Sequence, residues 1–129
     1  MIPFTVDQFL SVFERYNVAV WPAQLFLYAI GALAICMAFQ RKVDFSRSIS
    51  LILSMLWIWM GFVYHFWFFS TINKAALIFA AFFALQGILF LIAGVWKNTL
   101  SFQCRPDLFG VTGGIFLIYA LVIYPALSY

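Results

Sequence analysis

The sequence has very little charge. Seven Lys or Arg and four Asp or Glu are its only charged side chains in 129 residues, whereas about a quarter of an average soluble domain is charged. Such a chain cannot cover itself with a water-facing surface, which excludes a conventional soluble fold. Carboxylates are confined to Asp7, Glu14, Asp44 and Asp107, all outside the longest apolar runs. Proton antiport of the kind that relies on an acid within the membrane therefore lacks its central residue. Histidine occurs once, at His65, and cysteine twice, at Cys36 and Cys104. Two cysteines make no disulfide framework, and both read as reduced thiols. No Ser/His/Asp or Cys/His arrangement is visible, so the sequence gives catalysis no support. A basic leader is missing too: the first 15 residues carry Asp7, Glu14 and Arg15. Ile35 stands before Cys36 where lipoprotein processing needs a small residue, so the first span is expected to stay in the mature protein.

Apolar length dominates what remains. Residues 16–40, 48–73, 75–96 and 108–129 carry no charge, and each run is long enough for one helix across about 30 Å of hydrocarbon. The expected fold is therefore all-α: four transmembrane helices at 22–40, 47–69, 74–96 and 108–127 in an antiparallel bundle, forming a single membrane domain over 1–129. A short amphipathic helix at 5–17 should precede them. Its start is marked by Thr5-Val6-Asp7-Gln8, a capping box, with Phe4 and Phe9 as a hydrophobic staple. Apolar Val6, Phe9, Leu10, Val12, Phe13 and Tyr16 alternate with polar residues, as a helix on the membrane surface requires. Asn17 is the expected stop, and Trp21-Pro22 opens the first span.

The net charge of +3 is no nucleic-acid footprint in such a chain. Arg41, Lys42 and Arg47 in the first loop and Lys97 and Arg105 in the third oppose Arg15 and Lys74 on the other side. The positive-inside rule then puts both termini outward. The same five basic residues are candidate contacts for anionic lipid.

Within lipid, small and polar stripes mark the faces that meet. Gln24, Gly31, Ala34 and Ala38 form one, and Arg47, Ser50, Ser54, Trp57, Gly61 and Tyr64 another. Ala76, Ala80, Ala84, Gly87 and Gly94 form a third, and Gly110 and Gly114 open the last span. Ordinary helix packing accounts for every Ala and Gly among them. Placing polar groups by helix rise puts Gln24, Tyr28, Tyr64, His65, Asn73 and Tyr124 in the outer leaflet, with Trp57 nearer mid-membrane. These seven form the candidate ligand site. His65 could serve as a proton carrier or ligand, or be a buried imidazole bonded to a neighbour. A metal or haem site needs more ligands than one chain offers, so His65 would have to be shared across a dimer. No cofactor is predicted.

Three stretches carry a family likeness. They are Pro3-Phe4-Thr5 to Gln8-Phe9 with Tyr16-Asn17 and Trp21-Pro22-Ala23-Gln24; Trp57-Ile58-Trp59-Met60-Gly61 with Tyr64-His65, Phe68-Phe69 and Ile72-Asn73; and Tyr119-Ala120-Leu121 with Tyr124-Pro125. Together they resemble a family of bacterial multi-pass inner-membrane proteins of unknown function. The resemblance runs along the whole chain and brings no activity. It implies a longer relative, with a His-containing loop, a Gly-Leu-Pro-Cys-Pro-Thr-Thr stretch and two further apolar segments that this sequence does not have. A site needing that His and Cys would be incomplete here.

Three functions follow as expectations. The first is a small non-enzymatic membrane protein, an accessory or structural subunit of a larger complex or a homo-oligomer. The second is a transporter or binding protein for a small solute or soft metal around His65. The third is a redox subunit with haem on His65.

Overall fold

A computed structural model describes residues 3–127, and every regular element among them is helical. Helix α1 (Val6–Val20) begins as its capping box dictates: the Gln8 amide donates to Thr5 Oγ1 at 3.2 Å and the Thr5 amide to Gln8 Oε1 at 2.9 Å. Phe4 stacks on Phe9 with centroids 5.8 Å apart, completing the staple. Asn17 does not end the helix. Three further residues continue it to Val20, because Val12, Tyr16 and Val20 form one buried face at helical spacing. The chain then turns by 89° into α2 (Ala23–Ala38). Pro22 precedes the first helical residue and does not occupy it.

Helix α3 (Ser46–Thr71) has 26 residues and α4 (Ala76–Trp96) has 21. At 1.5 Å per residue an α-helix of those lengths reaches about 39 and 31 Å, enough to cross the hydrocarbon. Helix α5 (Leu108–Ile123, with a last turn at Tyr124–Leu127) carries a shorter apolar stretch. Two helices are thus long and apolar enough to cross a membrane, or three if the bent pair α1–α2 makes one crossing. The four spans of similar reach expected from the charge-free runs are not matched by four such helices. With only 16 residues, α2 is too short by itself.

The expected antiparallel bundle forms in part. The first half of α3 packs against the end of α4, its second half packs against the start of α4, and α2 lies on α3. Helix α5 makes no comparable contact with the others. Small residues set the α3–α4 spacing: a Cβ on Gly61 would lie 3.0 Å from the Ala80 carbonyl and 3.1 Å from Phe83 Cβ, and one on Gly87 would lie 2.6 Å from Ile58 Cγ1. Buried serines tie the same seam. Ser54 Oγ donates across it to the Gly87 carbonyl at 2.7 Å, and Ser50 Oγ donates back to the Ser46 carbonyl at 2.7 Å. Ser46 Oγ in turn accepts from the Phe102 amide, anchoring the 97–107 loop. Asn98 takes the left-handed conformation that closes α4, at φ 51°.

Three helices contain π-helical stretches, at Met60–Phe68, Phe90–Trp96 and Tyr119–Ile123. Their i→i+5 bonding changes which residues share a face, which matters for the site below.

Gly61→Leu should lower stability by about 3 kcal/mol, since the added side chain meets backbone across the seam. Gly31→Leu, which meets open space, should be neutral or stabilising by up to about 1 kcal/mol through helix propensity. Thermal unfolding of the two variants in one detergent checks the contrast.

Candidate functional site

The sequence joined seven residues in one candidate site, six in the outer leaflet and Trp57 nearer mid-membrane, and the folded chain spreads them over several environments. Gln24, Tyr28 and Tyr64 line a common groove with Asn17. Gln24 Nε2 donates to Asn17 Oδ1 at 2.6 Å, bracing the bend between α1 and α2. Tyr64 is buried under α1, with its ring 5.4 Å from Tyr16, 5.3 Å from Phe13 and 5.9 Å from Phe69. His65 meets the Tyr64 ring edge to face, with centroids 5.1 Å apart, and packs from there onto α4. Its ring lies 4.6 Å from Phe83 and 5.9 Å from Phe79, both on α4. Trp57 also rests on Phe83, at 4.6 Å. Asn73 Oδ1 accepts from the Ala75 amide, ordering the turn before α4, and Tyr124 is exposed on α5.

Register explains the division. Trp57, Gly61 and His65 follow one another at four-residue spacing, and all three meet α4 through Phe83. Met60 and Tyr64 form the neighbouring stripe, which faces the groove. Taking the sequence as a single 3,4 stripe placed Gly61 and Tyr64 on one face, but the π-helical stretch separates them. His65 Nδ1 is buried with no hydrogen-bond partner. That arrangement fits the neutral tautomer carrying its proton on Nε2, because a bare lone pair is the less costly group to leave unpaired. The imidazole is therefore held by aromatic packing. Among the described residues no group of three or more His, Cys, Asp or Glu could hold a metal ion.

One strong polar contact had escaped the sequence reading. Trp59 Nε1 donates to Tyr16 Oη at 2.9 Å, joining α1 to α3. The central position of Trp59 in its span was the available signal, since a buried indole N–H needs a partner.

The groove is a wide concave feature. Its volume is about 1,100 Å³, at the upper end of small-molecule pockets, which span about 300–1,000 Å³. Helix α2 forms one wall with Gly31, Ala34 and Ala38, and α5 forms the other with Gly110, Gly113 and Gly114. Ile49, Leu53, Leu56 and Met60 of α3 make its floor, and Arg105 stands at the end near the loops. The lining is apolar apart from its two ends, and it assembles neither a nucleophile with a base nor a set of metal ligands. Arg41, Lys42, Arg47, Lys97 and Arg105 are all exposed.

The fold and groove define an all-helical protein with helices able to cross a membrane. Residues 6–129 match the model of a family of unknown function, DUF6064, and the chain belongs to that family. No curated protein and no solved structure matches it.

The bond between Tyr16 and Trp59 should appear as a coupling of about 0.5–1 kcal/mol in a double-mutant cycle of Tyr16→Phe and Trp59→Phe. Purely additive unfolding free energies would show that it contributes nothing.

Proposed function

We propose that this chain is a non-enzymatic subunit of the bacterial inner membrane, completed by a transmembrane helix that lies in the groove between α2 and α5. That helix comes from a partner subunit or a second copy. One contrast carries the reading. On α3 and α4, Gly61, Gly87 and Gly94 would each place a Cβ against the neighbouring helix, whereas Cβ atoms on Gly31, Gly113 and Gly114 would meet nothing within 4 Å. Small residues in membrane helices serve close approach, and on the groove walls no helix has approached. Placing both termini on the outer side is supported by five basic residues at the end formed by the 39–45 and 97–107 loops, against Arg15 and Lys74 at the other.

The solute-binding alternative keeps Gln24, Tyr28 and Tyr64 in the groove, with His65 behind Tyr64 and packed on α4. Haem bound by His65 across a dimer would have to use Nε2, since Nδ1 is buried. Neither reading has a specific observation in its favour.

Purification in mild detergent with light scattering tests the proposal. The native protein should run as an oligomer or with a co-purifying membrane protein, and Gly113→Leu combined with Gly114→Leu should release it. A monodisperse monomer with no companion would overturn the reading.

A further inference from the structure

The entire net charge of +3 resides at one end of the molecule. Arg41, Lys42, Arg47, Lys97 and Arg105 lie there with only Asp44 and Asp107, while Arg15 and Lys74 at the opposite end are balanced by Asp7 and Glu14. Three hydrogen bonds gather the basic segments onto one rim. The Cys104 amide donates to the Ala38 carbonyl at 2.9 Å, the Phe102 amide to Ser46 Oγ at 3.0 Å, and Arg47 Nε to the Val95 carbonyl at 3.0 Å. The first of these brings Arg105 beside the segment that carries Arg41 and Lys42. Both carboxylates are turned to backbone: Asp44 accepts from the Ser46 amide and Asp107 from the Gly110 amide, each at 2.9 Å. Hydrogen bonds from Ser46 also hold the Asp44 carboxyl below its usual pKa.

Large apolar side chains stand out from the same rim. Trp96 is 83% exposed, Phe109 85% and Phe39 59%. An aqueous anion has no use for exposed indole and phenyl rings beside its cations, but the headgroup layer of a bilayer accommodates both. Arg105 also stands at the mouth of the apolar groove, where phosphate and hydrocarbon can be met together.

We infer that this rim is a binding site for an anionic phospholipid, its phosphate taken by Arg105 with Arg41 and Lys42 and its acyl chains lying along the adjoining apolar surface. The site needs no docked helix, so it stands apart from the subunit assignment.

Mass spectrometry of intact complexes, with the purified chain in detergent and equal phosphatidylglycerol and phosphatidylcholine of matched chains, provides the test. Phosphatidylglycerol should be retained about tenfold more, because each cation near the surface favours an anionic lipid. The combined variant Arg41→Gln/Lys42→Gln/Arg105→Gln should bring retention near parity, and Arg15→Gln/Lys74→Gln should leave the preference intact. Rising ionic strength should weaken it in the native protein, a readout that requires no variant to fold. Equal retention of the two lipids by the native protein overturns the inference, as does an unchanged preference in the triple variant. Displacement of the lipid by inorganic phosphate would also overturn it, indicating a free-anion site. Retention is read per protomer, so a monomer that keeps the preference would sink the subunit reading alone.

Discussion

The close approach of α3 and α4 is the contact on which the rest of the structure depends. Lipid gives apolar helices no hydrophobic reason to associate, so the seam has to be held by packing and by hydrogen bonds between neighbours. Gly61 and Gly87 let backbone come near backbone, and Ser54 reaches across to the Gly87 carbonyl. Because the helices are this near, Phe83 falls between Trp57 and His65, where it orients both rings. Ser46 then carries the order of the seam into the 97–107 loop through the Phe102 amide. The same pairing thus fixes the imidazole and positions the basic rim.

A second set of contacts, aromatic in character, attaches α1 to this pair. Phe9, Phe13 and Tyr16 close over Tyr64, Phe68 and Phe69, and the Trp59 indole bonds the Tyr16 hydroxyl. These rings bring contact area with few rotatable bonds to freeze, and edge-to-face geometry recurs among them. The 89° turn after α1 is braced by the Asn17–Gln24 bond. A helix that the amphipathic pattern assigned to the membrane surface is therefore also a lid on the upper half of α3. That dual role explains why it outlasts Asn17: stopping there would have left Val20 unused as a packing residue.

Much of the fold was legible because its signals are local. The capping box at Thr5–Gln8 was readable, as were the edges of α3 and α4 to within about two residues, and both were encoded by side chains near the elements they define. The small-residue stripes were readable as packing faces, but which of them had found partners was not. Sequence gives Gly61 and Gly113 the same meaning, and only tertiary structure separates a filled contact from an open one. Of the candidate site, the sequence placed Tyr64 beside His65, and their rings meet. Depth along a helix is a one-dimensional quantity, and it grouped His65 with Tyr64 because the two lie at one level. Adjacent residues on a helix point about 100° apart, so beyond their shared edge Tyr64 packs under α1 and His65 on α4. The π-helical turn through both residues then altered the register that periodicity assumes.

The scarcity of charge acquires a more definite meaning from this arrangement. If ionic groups were spread evenly along the helices, each would require a partner in lipid or would mark a pathway. Instead the helices keep uncharged polar groups, among which Ser50, Ser54, Tyr16 and Trp59 are met by neighbouring carbonyls and hydroxyls. Open positions also lie at the boundaries: Cβ atoms on Gly31, Gly113 and Gly114 would meet nothing in the groove, and the cations of the rim are exposed beside Trp96 and Phe109. These boundary features are the ones on which the proposed subunit and lipid contacts rest.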